Sequence, residues 1–225
     1  MVDTLMMLAS IVGPLTLAIV EIVHPHAHDL FDVDLTRWMA VHYAQIVLFP
    51  LAAWSQAMLI RGERGYAAAI SRMSMFVFAV TYVAFDTAAG VVTGVLVRSA
   101  LASGSPEAWR SPVLAIWNHP IVGGSSDGAP ALAVIGTLAW LLGTLCSAFV
   151  IRRARHSWGP IVLLVISAFG LFVFRTHAWP GGPITFGSLG LAVGLVELER
   201  RRSGLEVETA HPQPGWRHSQ RSSVC

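Results

Sequence analysis

Glu21, His24, His26, His28, His42, Gln45, Asp86 and His177 stand within or beside apolar stretches of this chain, where hydrocarbon would make ionisable side chains costly. Neutral imidazole nitrogens and carboxylate oxygens are the donors that zinc, iron and copper accept. In His24-Pro25-His26-Ala27-His28 the proline disfavours a helical His24, and in an extended segment alternate side chains project the same way. The ligand set expected from these residues is Glu21, His24, His26, His42 and His177, holding a transition metal such as zinc, iron or copper, or with two of the histidines a haem. Asp86 and Gln45 are expected to orient a ligand or handle a proton. Two other uses of the same residues stay open. Glu21, His42 and Asp86 form a relay in a small proton-coupled transporter, or the cluster is a hydrogen-bonded network in a structural membrane scaffold without a ligand.

Elements that bring such residues together must be membrane helices. Hydrophobic residues make up 54% of the chain and charged ones 12%, about half the charged share of a soluble domain. The apolar residues fall into six runs, at about 5–23, 38–60, 73–97, 131–151, 160–174 and 184–196, most of them long enough for about 30 Å of hydrocarbon. The expected fold is all-α, a polytopic transmembrane helical bundle of six spans over residues 1–202, with a disordered cytoplasmic tail over 203–225. Because the run at 184–196 is short, five spans plus one interfacial helix is the fallback. Between spans three and four the stretch 98–128 is a long loop, whose apolar residues 113–117 suit a short helix on the membrane surface. The first run lacks a basic leader and a cleavage motif, which reads as a retained helix.

Arg61, Arg64, Arg72, Arg152, Arg153, Arg155 and Arg200 to Arg202 gather on one side of this topology, against Arg37, Arg98, Arg110 and Arg175 on the other. The richer side is cytoplasmic by the positive-inside rule, which puts both termini in the cytoplasm and the histidine-rich connection outside. The protein is therefore expected in the cell membrane, with the lipid bilayer as its first partner. All basic residues are arginine and none forms a patch with interleaved aromatics, so nucleic acid is excluded as a partner. Trp38, Trp109, Trp117 and Trp179 mark the outer ends of the runs, as an aromatic belt does. Gly90/Gly94 and Gly190/Gly194 are small-xxx-small pairs that let helix backbones approach, a route to a homo-oligomer. Cys146 and Cys225 show no metal-ribbon or disulfide spacing.

Helical spacing puts His42, Gln45, Phe49 and Gln56 on one face, and Asp86 with Tyr82, Gly90 and Thr93 on another, both pointing inward. No His-Glu-x-x-His or phosphate-cradling loop is present, so whether the chain is an enzyme is left open. His42 and Asp86 resemble the early members of the site in membrane zinc amidohydrolases of the alkaline ceramidase and adiponectin receptor type. The last apolar run has no histidine, however, which sets that family aside. The stretch Tyr82-Val-Ala-Phe-Asp86-Thr-Ala-Ala-Gly90-Val-Val-Thr-Gly94, with Trp38-Met-Ala-Val-His42 and His24-Pro25, resembles small multi-spanning bacterial membrane proteins of unassigned function. That resemblance covers the first three spans, implies that Asp86 and His42 act as a matched pair, and implies nothing about a substrate.

Overall fold

The computed structural model of the protein describes residues 2–26, 29–125 and 129–210, with side chains over 5–26, 29–125 and 129–203. His28 and residues 211–225 lie outside the described residues. The elements are α1 (Val2–Ile22), α2 (Leu35–Leu59), α3 (Tyr66–Asp86), a π-helical segment (Thr87–Val92), α4 (Thr93–Ala102), α5 (Glu107–Trp117), α6 (Ala131–Arg153), α7 (Trp158–Phe174) and α8 (Gly181–Ala210). No strand occurs among the described residues. Two helix starts have a clear local cause. Asp34 caps α2 by accepting from the Arg37 amide at 3.0 Å, and Gly65, at φ +105°, makes the turn into α3.

Packing closes the six long helices into a ring: α1 on α2, α2 on α3, α3 on α6, α6 on α7, α7 on α8, and α8 back on α1. The outer surface is apolar, and polar side chains lie buried beside an apolar core. Ile19, Phe76, Phe149, Val173 and Leu191 face outward with more than half their surface free, whereas Glu21, Gln45, Gln56, Ser71, Thr144 and Ser147 are fully buried. Four helical stretches are long and apolar enough to cross a membrane, Leu5–Ile22, Tyr66–Ala102, Ala131–Arg153 and Gly181–Ser203, and Trp158–Phe174 is apolar but shorter. The 25 residues of α2 reach about 37 Å at 1.5 Å per residue. Its apolar character is diluted by Arg37, His42, Gln45 and Gln56.

Two elements exceed the lengths read from hydropathy. The third helix begins at Tyr66 rather than near residue 73, because Ala67, Ala68 and Ala69 are strong helix formers even where the apolar run has not begun. The last, expected as a short run at 184–196, starts at Gly181 and continues to Ala210, past residue 203. Its charged stretch ends the apolar run without ending the helix, since Glu197 accepts from both Arg200 (2.7 Å) and Arg61 (2.9 Å). Its stretch Gly181–Ser203 is long and apolar enough to cross a membrane. The helix expected on the surface at 113–117 is the whole of α5, with Val113 as its buried anchor.

One end of the bundle is tied by arginine. Besides the Glu197 pairs, Arg200 donates to the Leu59 carbonyl at 2.7 Å and His156 meets Glu199 at 2.6 Å, which joins the ends of α2 and α8 and the α6–α7 turn. Within the core, polar pairs lock neighbours: Gln56 with Thr144 (2.9 Å), Ser71 with Ser147 (2.8 Å) and Tyr82 with Thr137 (2.8 Å). Gln56→Leu leaves the buried Thr144 hydroxyl without its side-chain partner and should cost about 1 kcal/mol. A double-mutant cycle with Thr144→Val, read by thermal unfolding in detergent, checks this. Full additivity of the two changes would mean that the pair contributes nothing.

Candidate metal centre

At the bundle end opposite the arginines, four chain segments converge. The last turn of α1 brings Glu21, which is fully buried, and the helix stops one residue on, at Ile22, just before His24 and Pro25. From the next helix, Gln45 donates through Nε2 to Glu21 Oε1 at 2.8 Å. His177 lies on the connection between α7 and α8, where Arg175 takes the left-handed conformation that ends α7. Its Nδ1 stands 3.2 Å from Glu21 Oε2 and 3.2 Å from Gln45 Nε2. This connection fits only because residue 182 is glycine: a Cβ there would fall 1.7 Å from the His177 carbonyl and 2.7 Å from Glu21 Cγ.

The two remaining histidines are held by the same device. His24 Nδ1 lies 3.0 Å from the Pro25 carbonyl, and His42 Nδ1 lies 2.7 Å from the Trp38 carbonyl. A carbonyl only accepts, so each Nδ1 carries the hydrogen and each Nε2 is left with its lone pair. This is how metal-binding histidines are oriented, with the far ring nitrogen bonded to a backbone oxygen. His24 Nε2 is buried and has no hydrogen-bond partner among the described residues. The His24 ring meets those of His42 and His177 edge to face, each at 5.0 Å between centroids. Ligand atoms of Glu21, His24 and His177 all lie within 4.8 Å of one another.

Burial, with His177 and His42 alongside, pushes the His24 imidazole down to about 2, so it stays neutral and able to ligate. For His177 burial pulls the other way from its neighbours, and the adjoining Glu21 carboxylate raises it above the ordinary imidazole range.

Asp86 ends α3 and is 1% exposed. Its Oδ1 is 3.8 Å from His42 Nε2, and its Oδ2 has no partner. Tyr82, Gly90 and Thr93 are buried with it, on the inward face that the spacing indicates. Beyond Asp86 the backbone widens into the π-helical turn, and Trp38 Nε1 donates to the Gly90 carbonyl at 2.8 Å. Gly90 is the seat of His42, for a Cβ at this position would stand 1.8 Å from the imidazole Cδ2.

Several expectations need correction. His26 is exposed and joins no cluster, so the alternate histidines of the first connection do not all face inward. Trp38 is not a belt residue. It is 2% exposed, lies 4.5 Å from the His42 ring and forms a wall of the site, whereas Trp179 is exposed as a belt residue would be. The Gly90/Gly94 face is taken up inside the chain by His42, Met39 and Trp38, and Gly190 by Leu15, while Gly194 meets nothing within 4 Å. Gly90, Gly94 and Gly190 thus serve contacts within one chain.

Below the cluster lies an aromatic floor of Phe49, Phe78, Trp140 and Phe186, whose rings pack at 4.6–5.9 Å. Phe49, Phe85 and Tyr82 also surround His177 at 5.9–6.2 Å. A haem held by two of the histidines would need a flat slot between rings that already meet edge to face, so bare metal ions suit the space better than a haem. Above, α5 and the first connection form a cover, with Val113 packed among Leu30, Trp38, Met39 and Val97. Arg110 clasps the cover by pairing with Asp29 at 3.2 Å and lying over Phe31 at 4.8 Å. Arg110→Ala should speed stripping of a bound metal by a chelator about two- to five-fold, the small effect of a half-exposed pair. Stopped-flow release into a chromophoric chelator measures it, and an unchanged rate would mean that α5 does not gate the site.

Comparison with known protein families, with curated proteins and with solved structures finds no match, so the reading of this site rests on its own residues.

Proposed function

We propose that this protein is a six-span membrane protein, with both termini on the cytoplasmic side, that binds a transition-metal ion at its outer end through His24, His177 and Glu21. The observation that carries this reading is the buried Nε2 of His24, which has no partner among the described residues, while Nδ1 on the same ring is tied to the Pro25 carbonyl. Two imidazoles and one carboxylate suit zinc or ferrous iron, and three protein ligands leave a coordination position for water or a substrate. Gln45 holds Glu21, and the Trp38 carbonyl holds His42. The aromatic floor favours an ion that stays in place over one that passes inward, so the metal reading stands ahead of proton-coupled transport.

Metal analysis of the full chain, purified in detergent from cells supplied with zinc, iron and copper, tests the proposal. About one or more bound ions per chain are expected, and a clean blank would overturn it. For the topology, Arg64→Cys should react with an impermeant thiol reagent only from the cytoplasmic face, and Ser105→Cys only from outside, in a background lacking Cys146 and Cys225. Labelling of both from one side would remove the six-span reading.

A further inference from the structure

We infer that the centre takes a second divalent transition-metal ion, seated between His42 Nε2 and Asp86 Oδ1 beside the ion held by Glu21, His24 and His177. This rests on the metal reading above and adds to it a dinuclear site. His42 Nδ1 is committed to the Trp38 carbonyl at 2.7 Å, so the nitrogen facing Asp86 is the lone-pair nitrogen. The 3.8 Å between His42 Nε2 and Asp86 Oδ1 is too long for a hydrogen bond. It matches two donors on one ion, because ligand bonds of about 2.0–2.2 Å place two donors up to roughly 4 Å apart.

Asp86 strengthens the case independently. The residue is 1% exposed, and its Oδ2 has no hydrogen-bond partner. An ionised carboxylate this deeply buried is costly unless a proton or a cation neutralises it, and a cation seated beside it does so directly. Gln45 Oε1 is a further buried oxygen without a partner in this cluster. The His24 ring lies 5.0 Å from His42 on one side and 5.0 Å from His177 on the other, so the two donor groups flank one imidazole. Paired ions about 3.5–4 Å apart are the arrangement that clamps attacking and leaving oxygens in hydrolytic sites.

The test is stoichiometry. The full chain is loaded in detergent with excess Zn(II), desalted and assayed for zinc per chain. Two ions are expected in the parent protein and one in Asp86→Asn and in His42→Ala, a twofold fall. One ion in the parent, or two retained in both variants, overturns the second site while leaving the first intact. No bound zinc at all would sink the metal reading as a whole. Loading the parent with Mn(II) gives a check that requires no variant: an exchange-coupled electron paramagnetic resonance spectrum is expected, and only isolated Mn(II) signals would overturn the pair.

Discussion

Gly90→Ala is expected to lower the stability of the protein by about 2–3 kcal/mol and to unseat His42, because the new methyl group needs the volume that the imidazole occupies. The added carbon would stand 1.8 Å from Cδ2 and 2.5 Å from Nε2 of that ring, which is hemmed in by Trp38 on another side. Rotating the ring away breaks its bond to the Trp38 carbonyl and withdraws its lone pair from Asp86. Gly194→Ala provides the control on another helix: nothing lies within 4 Å of that position, so the change should stay within about 0.5 kcal/mol or stabilise slightly. Thermal unfolding of both variants in the same detergent decides the matter. Equal behaviour of the two would show that the close approach at Gly90 is not what holds His42.

The second large effect is on binding. His24→Ala should weaken Zn(II) binding by more than about 100-fold, beyond the roughly 10- to 100-fold that the loss of an outer partner costs. Gln45→Leu, which removes the donor to Glu21 and leaves the ligands themselves in place, should fall inside that lower range. Competition against a chromophoric chelator ranks the two. If His24→Ala binds zinc within threefold of the parent, its imidazole is not a ligand and the reading of its free Nε2 fails.

Much of this site was legible in the sequence because of where hydrocarbon makes polar groups expensive. Glu21, His42, Asp86 and His177 each interrupt or border an apolar run, and alternating the runs across a bilayer puts them at one end. The structure brings those four to the same end, beside Gln45. Other features were hidden for physical reasons. A tryptophan at the start of a membrane helix looks the same in sequence whether it faces headgroups or, as Trp38 does, leans on a buried histidine. Gly90 was readable as a position of close approach, but sequence does not say whether the neighbour belongs to the same chain. The length of α8 was obscured because hydropathy reports where apolar residues end, while Glu197 and Arg200 continue the helix through their own ion pairs. Gly182 carried no signal at all until the carbonyl of His177 was placed against it.

The separation of 156 residues between Glu21 and His177 also sets a timetable for biosynthesis. At about 5–20 residues per second, a ribosome needs roughly 8–30 s after adding the first of these two residues to reach the second. On the proposed metal reading, the nascent chain carries an incomplete ligand set through that interval, and capture of an ion would fall late, after the penultimate helix has been made. A chain halted before residue 177 would have most of its spans and no finished centre.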